Sequence, residues 1–131
     1  MSYDVYYYKV PAGTEVVHKD DAERYAKAEG QDLEKVIEVI SSMDRYEYYV
    51  CKKGTFEVVS MFALTVLEDM HHGKLAAFLA DFTFEEYRNL GELAKTRMWY
   101  LKRFCETHGL KKYQRSRHLS ESRQLVITKE V

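Results

Sequence analysis

The stretch that most constrains this chain is TFEEYRNLGELAKTRMWYLKRFCETHG, from Thr83 to Gly109. It carries start and stop signals for one long helix over 84–108. Thr83 and Glu86 have T-x-x-E spacing, in which the hydroxyl accepts from the Glu86 N–H and the glutamate reaches back to the Thr83 N–H. Glu85 and Glu86 fall where the helix dipole favours negative charge, and Lys102, Arg103 and His108 fall where it favours positive charge. Gly109 follows as a left-handed C-cap. Tyr87, Ala94, Leu101 and His108 recur every seven residues, and Gly91, Met98 and Cys105 form an offset series, so the two make one seam. Leu90, Leu93, Arg97, Tyr100 and Phe104 flank it, which predicts a helix covered on more than one side. Gly91 would cost about 1 kcal/mol inside a helix. Close approach of another backbone is one reason for a glycine there, and plain local weakness is the other.

The rest of the chain reads as material packed against this helix. YDVYYYKV, 3–10, has strand composition and ends at Pro11 and Gly13. Asp20 and Glu23 open a helix whose face is Ala22, Tyr25, Ala26 and Glu29, stopped by Gly30. Asp32 caps a second helix with Leu33, Val36, Ile37, Ile40 and Met43 at i, i+3, i+4, i+7 spacing. YEYYVCK, 46–52, and TFEVVSMF, 55–62, read as strands joined at Lys53-Gly54, where glycine supplies the positive φ of a tight turn. From 63 to 80 the signal is mixed. Ala63, Val66, Leu67 and Met70 have helical spacing, and Leu75, Ala76, Phe78 and Leu79 suggest a short helix. Residues 111–123 read as a polar, basic connection, and RQLVITK, 123–129, as a last strand. The expected fold is therefore a single α+β domain over 1–131. Its antiparallel sheet of about four strands has helices on one face, in β-α-β-β-α-β, ferredoxin-like order.

At 131 residues such a chain can bury a core without a metal or disulfide staple. Its two cysteines, Cys51 and Cys105, lack C-x-x-C spacing, which predicts free, inert thiols in a reducing, cytoplasmic setting. The apolar runs fall far short of the roughly 20 residues of a membrane span. Charge is uneven: residues 1–70 carry a net −6 and residues 95–131 a net +7.

Candidate chemistry is sparse. Glu68, Asp69, His71 and His72 are the densest polar cluster, and Glu68 with His71 would share a face if helical. A zinc site needs three or four ligands, to which Cys105, His108 and His118 contribute only if the fold brings them close. A polar helix end or turn beside Gly73 accounts for the cluster more simply. Cys105 with His108 could be a nucleophile and base, but a cysteine on a helix seam is more simply a small core residue. There is no P-loop, G-x-G-x-x-G, G-x-S-x-G or H-E-x-x-H. No cofactor is expected, and the odds lean away from an enzyme.

The eleven tyrosines and the uneven charge favour a non-enzymatic binding module, an inhibitor, adaptor or homodimer acting through a protein partner. Lys111, Lys112, Arg115 and Arg117 would steer that partner, with Tyr113, Tyr6 and Tyr8 as contacts. The alternative is a nucleic-acid binder that uses the basic 95–123 region and strand tyrosines on an exposed sheet face. A metal-dependent enzyme around Glu68, Asp69, His71 and His72 ranks third.

Overall fold

The computed structural model describes residues 3–30, 32–120 and 123–131; side chains at 33, 36, 39, 116–120 and 123–125 lie outside the description. The elements are β1 (Tyr3–Val10), α1 (Lys19–Glu29), α2 (Leu33–Ser41), β2 (Arg45–Lys52), β3 (Val58–Asp69), β4 (Gly73–Thr83), a single 3₁₀ turn (Glu85–Tyr87), α3 (Gly91–His108), β5 (Lys112–Ser120) and β6 (Arg123–Glu130). The six strands follow chain order in one sheet. β1 pairs antiparallel with β2, β4 parallel with β5, and β5 antiparallel with β6. The sheet is therefore mixed, which corrects the expected four-stranded antiparallel sheet and its ferredoxin-like order.

Two misread segments account for the difference. Residues 63–80 are strand, turn and strand. β3 is buried without a break from Val58 to Thr65, and β4 is buried at Leu75, Ala76 and Ala77. Strands covered on both faces lose their alternation and cannot be told from buried helix by periodicity. Residues 112–120, read as a connection, form β5. Its parallel pairing with β4 needs a crossover, which α3 supplies.

The long helix is also shorter than expected. Thr83 ends β4 rather than capping a helix; its side chain meets Ser60 Oγ at 3.0 Å, and its carbonyl accepts from Arg88 Nε at 3.1 Å. Gly91 is the first residue of α3, so it bears no helix-interior cost. The C-terminus is as read: Gly109 has φ 66°, Leu110 N–H donates to Cys105 O at 2.8 Å and Gly109 N–H to Glu106 O at 3.4 Å. Leu93, Thr96, Leu101, Phe104 and Cys105 are buried, while Ala94 of the expected seam is exposed.

Contacts group the chain into two compact units, Met1–Ala63 with Leu79–Leu90, and Leu64–Phe78 with Gly91–Val131. The core of the first joins Val16, Ala22, Ile40, Tyr49, Cys51, Val58, Met61, Ala63 and Phe82. Tyr25 of α1 stacks on Phe82 with ring centroids 4.2 Å apart. Asp32 caps α2 by accepting from Glu34 N–H at 3.0 Å; the Leu33 and Val36 side chains lie outside the described residues. Lys52 O accepts from Thr55 N–H at 3.0 Å across Lys53-Gly54, and Gly54 has φ 76°, the turn expected there. In the second unit Leu64, Leu75, Ala76, Leu101, Phe104 and Tyr113 are buried. Among the described residues no helix is long and apolar enough to cross a membrane.

Candidate functional site

The most organised polar cluster lies in the first unit, where β2 faces the segment between β1 and α1. Side chains alternate along a strand, so Arg45, Glu47 and Tyr49 share one face of β2. Their partners across β1 are Val10, Tyr8 and Tyr6. Arg45 and Glu47 are almost wholly buried, which demands that both charges be satisfied. Arg45 Nε donates to Glu47 Oε2 at 2.7 Å, Nη2 to Thr14 O at 2.7 Å and Nη1 to Met43 O at 3.2 Å. Glu47 Oε1 accepts from the Tyr49 hydroxyl and from Val17 N–H, the latter at 3.0 Å. Burial first, and the neighbouring Glu47 carboxylate second, push the Tyr49 phenol well above its ordinary range, so it stays protonated.

His18 stands on top of this network. Its backbone N–H donates to Tyr49 Oη at 3.2 Å, and its ring lies 4.1 Å from the Tyr49 ring. Its Nδ1 is 3.4 Å from Asp21 Oδ2, one helical turn further on, and its Nε2 is 3.4 Å from the Tyr8 hydroxyl. The imidazole is 24 % exposed, reachable from solvent yet held at both nitrogens. With Asp21 accepting from Nδ1–H, Nε2 carries the lone pair and can take a proton. This is the His–carboxylate arrangement of a general base.

The sequence reading missed His18, Asp21, Arg45, Glu47 and Tyr49. A signal existed: R-x-E-x-Y at 45, 47 and 49 puts a charge pair on the same strand face as an aromatic. Tyr8, expected as a partner contact, stands on β1 with its hydroxyl 3.4 Å from His18 Nε2. Tyr6 packs against the core and lies 5.2 Å from Phe56, ring to ring. Tyr113 is corrected: it is buried, edge-on to Phe78 at 6.3 Å, and cannot serve as a surface contact. Lys111 and Arg115 are exposed and Lys112 is half-buried at the start of β5; the Arg117 and His118 side chains lie outside the described residues.

The Glu68–His71 pairing loses its helical premise. Glu68 is on β3, while His71 and His72 form the turn to β4. Asp69 Oδ1 accepts from His71 N–H at 2.7 Å, from His72 N–H at 3.1 Å and lies 3.2 Å from His72 Nδ1. The His71 amide foremost holds the Asp69 carboxyl below its ordinary range. The cluster thus organises a hairpin tip. Among the described residues no three His, Cys, Asp or Glu side chains are placed to hold a metal ion. Cys51 and Cys105 are both buried; burial raises each thiol from 9.0 to about 11, and the charges of Asp21 and Asp4 add to the effect at Cys51. His108 Nδ1 lies 2.9 Å from Phe104 O.

No family model matches the sequence, and no curated protein matches it. Solved structures do match in fold. An aminoglycoside acetyltransferase from an uncultured soil metagenomic sample, in complex with trehalose, superposes with a TM-score of 0.56 at 11 % identity over 92 % of this chain and 80 % of its own. The same enzyme in complex with sisomicin gives 0.57 at 10 % identity over 92 % and 81 %. A "possible acetyltransferase" from Clostridium difficile 630 gives 0.54 at 16 % identity over 93 % and 83 %. At these identities the likeness is one of fold. It overturns the reading of this chain as a non-enzymatic interaction module or nucleic-acid binder. That reading rested on the eleven tyrosines, the uneven charge and, for nucleic acid, an exposed sheet face, whereas the fold is the one seen in these acetyltransferases.

Proposed function

We propose that this protein is an acyltransferase that moves an acetyl group from a thioester to an amine, with His18 as general base. The observation that carries this reading is the fold shared with acetyltransferases over more than nine-tenths of the chain. Acetyl transfer forms an N–C bond at the thioester carbonyl and breaks its C–S bond. An ammonium acceptor sheds two protons in doing so. One goes to His18 Nε2, which Asp21 readies by holding Nδ1–H, and the other goes to the departing thiolate.

The acceptor side is acidic: Glu15, Glu23, Glu34 and Glu38 line a surface groove with Lys19 and Ile37, which suits a cationic amine.

The test is thiol release from acetyl-coenzyme A in the presence of an amine panel that includes sisomicin. Amine-dependent release is expected, reduced about 100-fold or more by His18→Ala. Release no faster than hydrolysis with every amine, together with no heat of acetyl-coenzyme A binding, would refute the reading.

A further inference from the structure

Arg45, Glu47 and Tyr49 touch no exposed surface where a substrate could sit, yet three of their hydrogen bonds end on the segment that carries His18. Thr14 O, Val17 N–H and His18 N–H are each held by a different side chain of the three. Val16 anchors this segment in the core, while Val17 beside it is exposed; the three hydrogen bonds fix the backbone on either side of that one apolar anchor. Buried charges are also a poor source of net stability, since an apolar set of similar volume usually does as well. A buried ion pair that, together with Tyr49, sends three hydrogen bonds to one surface segment is better explained by what it positions.

We propose that Arg45, Glu47 and Tyr49 form a positioning relay that sets the place of His18, a role that rests on His18 being the base. Tyr49 is the last link: its ring supports the imidazole at 4.1 Å and its oxygen receives the His18 amide. Glu47 fixes the Tyr49 hydroxyl and the preceding amide together, and Arg45 fixes Glu47. The imidazole then needs only Asp21 and Tyr8 to set its own rotation. None of the three relay residues exchanges a proton with substrate.

Tyr49→Phe isolates the relay, because it keeps the ring and removes the hydroxyl. Amide hydrogen exchange reads the position directly, without any assay of activity. The His18 amide should exchange about tenfold faster, as the loss of one hydrogen bond implies, while amides of β3 stay unchanged. With a working amine acceptor, kcat should fall about tenfold or more with KM for the thioester unchanged. Cys105→Ala, in α3 of the other unit, serves as a stability control. Unchanged exchange at His18 in Tyr49→Phe overturns the relay, as does an equal fall in kcat in Cys105→Ala at matched loss of Tm. If no amine is acetylated by the parent protein, the enzymatic reading fails on its own account, and the exchange result still decides whether the relay holds the segment.

Discussion

Glu47→Gln should be among the most damaging isosteric changes available in this protein. It keeps the shape of the side chain and removes one charge from a pair in which neither side chain is exposed. Arg45 would be left buried with its Nε facing a neutral amide, while Nη1 and Nη2 keep only carbonyls. Breaking a buried pair by removing one partner costs about 3–5 kcal/mol. A domain of ordinary stability has only about 5–15 kcal/mol to lose. With the amide oxygen turned to the Tyr49 hydroxyl and Val17 N–H, the amide NH2 faces Arg45 Nε–H, donor against donor, so the loss should fall in the upper part of the range for a broken pair. Urea denaturation measures it: for an m of about 2 kcal/mol/M, the midpoint should drop by about 2 M with m unchanged. Removing the partner as well, in Arg45→Met with Glu47→Gln, should recover part of that loss, since the uncompensated charge is gone. The coupling in such a cycle should lie within about 0.5–3 kcal/mol. A cost below about 1 kcal/mol for Glu47→Gln, or a double variant worse than the sum of the singles, would show that the pair is not desolvated and would refute this reasoning.

Leu101→Ala should cost about 2–5 kcal/mol by urea melting, because Leu101 is fully buried in α3, whereas exposed Lys95→Ala should cost under about 0.5 kcal/mol. Both thiols should label slowly with a thiol reagent at neutral pH, and rapid labelling of Cys105 in native protein would contradict its burial. Each thiol is raised from 9.0 to about 11 in the fold, so the stability it contributes is complete below pH 9.0 and is lost as pH rises towards 11. An alkaline melt should therefore show Tm falling across that window, with Tyr49 extending the loss above pH 10.0. Asp69→Ala should loosen only the β3–β4 turn, leaving Tm within a few degrees, with faster exchange of the His71 and His72 amides as the specific readout.

Local chemistry was legible wherever a residue's own backbone demand was at issue. Gly109 as a C-cap, Asp32 as an N-cap and the turn at Lys53-Gly54 all lie where the sequence puts them, because positive φ and orphan amides are problems solved within a few residues. The Thr83–Glu86 capping box failed for a reason of range. Thr83 is in reach of Ser60 across the sheet, and β4 claims it before a helix can. Residues 63–80 failed because burial on both faces erases the period that separates strand from helix.

The candidate site shows the same division more sharply. His18, Tyr8 and Tyr49 are separated by 10 and 31 positions at their hydrogen bonds, and nothing in local sequence marks them as neighbours. The antiparallel register of β1 on β2, Tyr8 opposite Glu47, is what brings them together. The sequence by itself determined where helices and turns must stop, that both cysteines lie in the core and that the first half of the chain is acidic, since those follow from single residues and their nearest neighbours. Tertiary structure alone decided that β4 and β5 run parallel, that Tyr113 is buried, and that a buried arginine, glutamate and tyrosine hold a histidine at the surface. Each of these depends on which distant backbone supplies the hydrogen bonds, and that choice is made by the whole sheet.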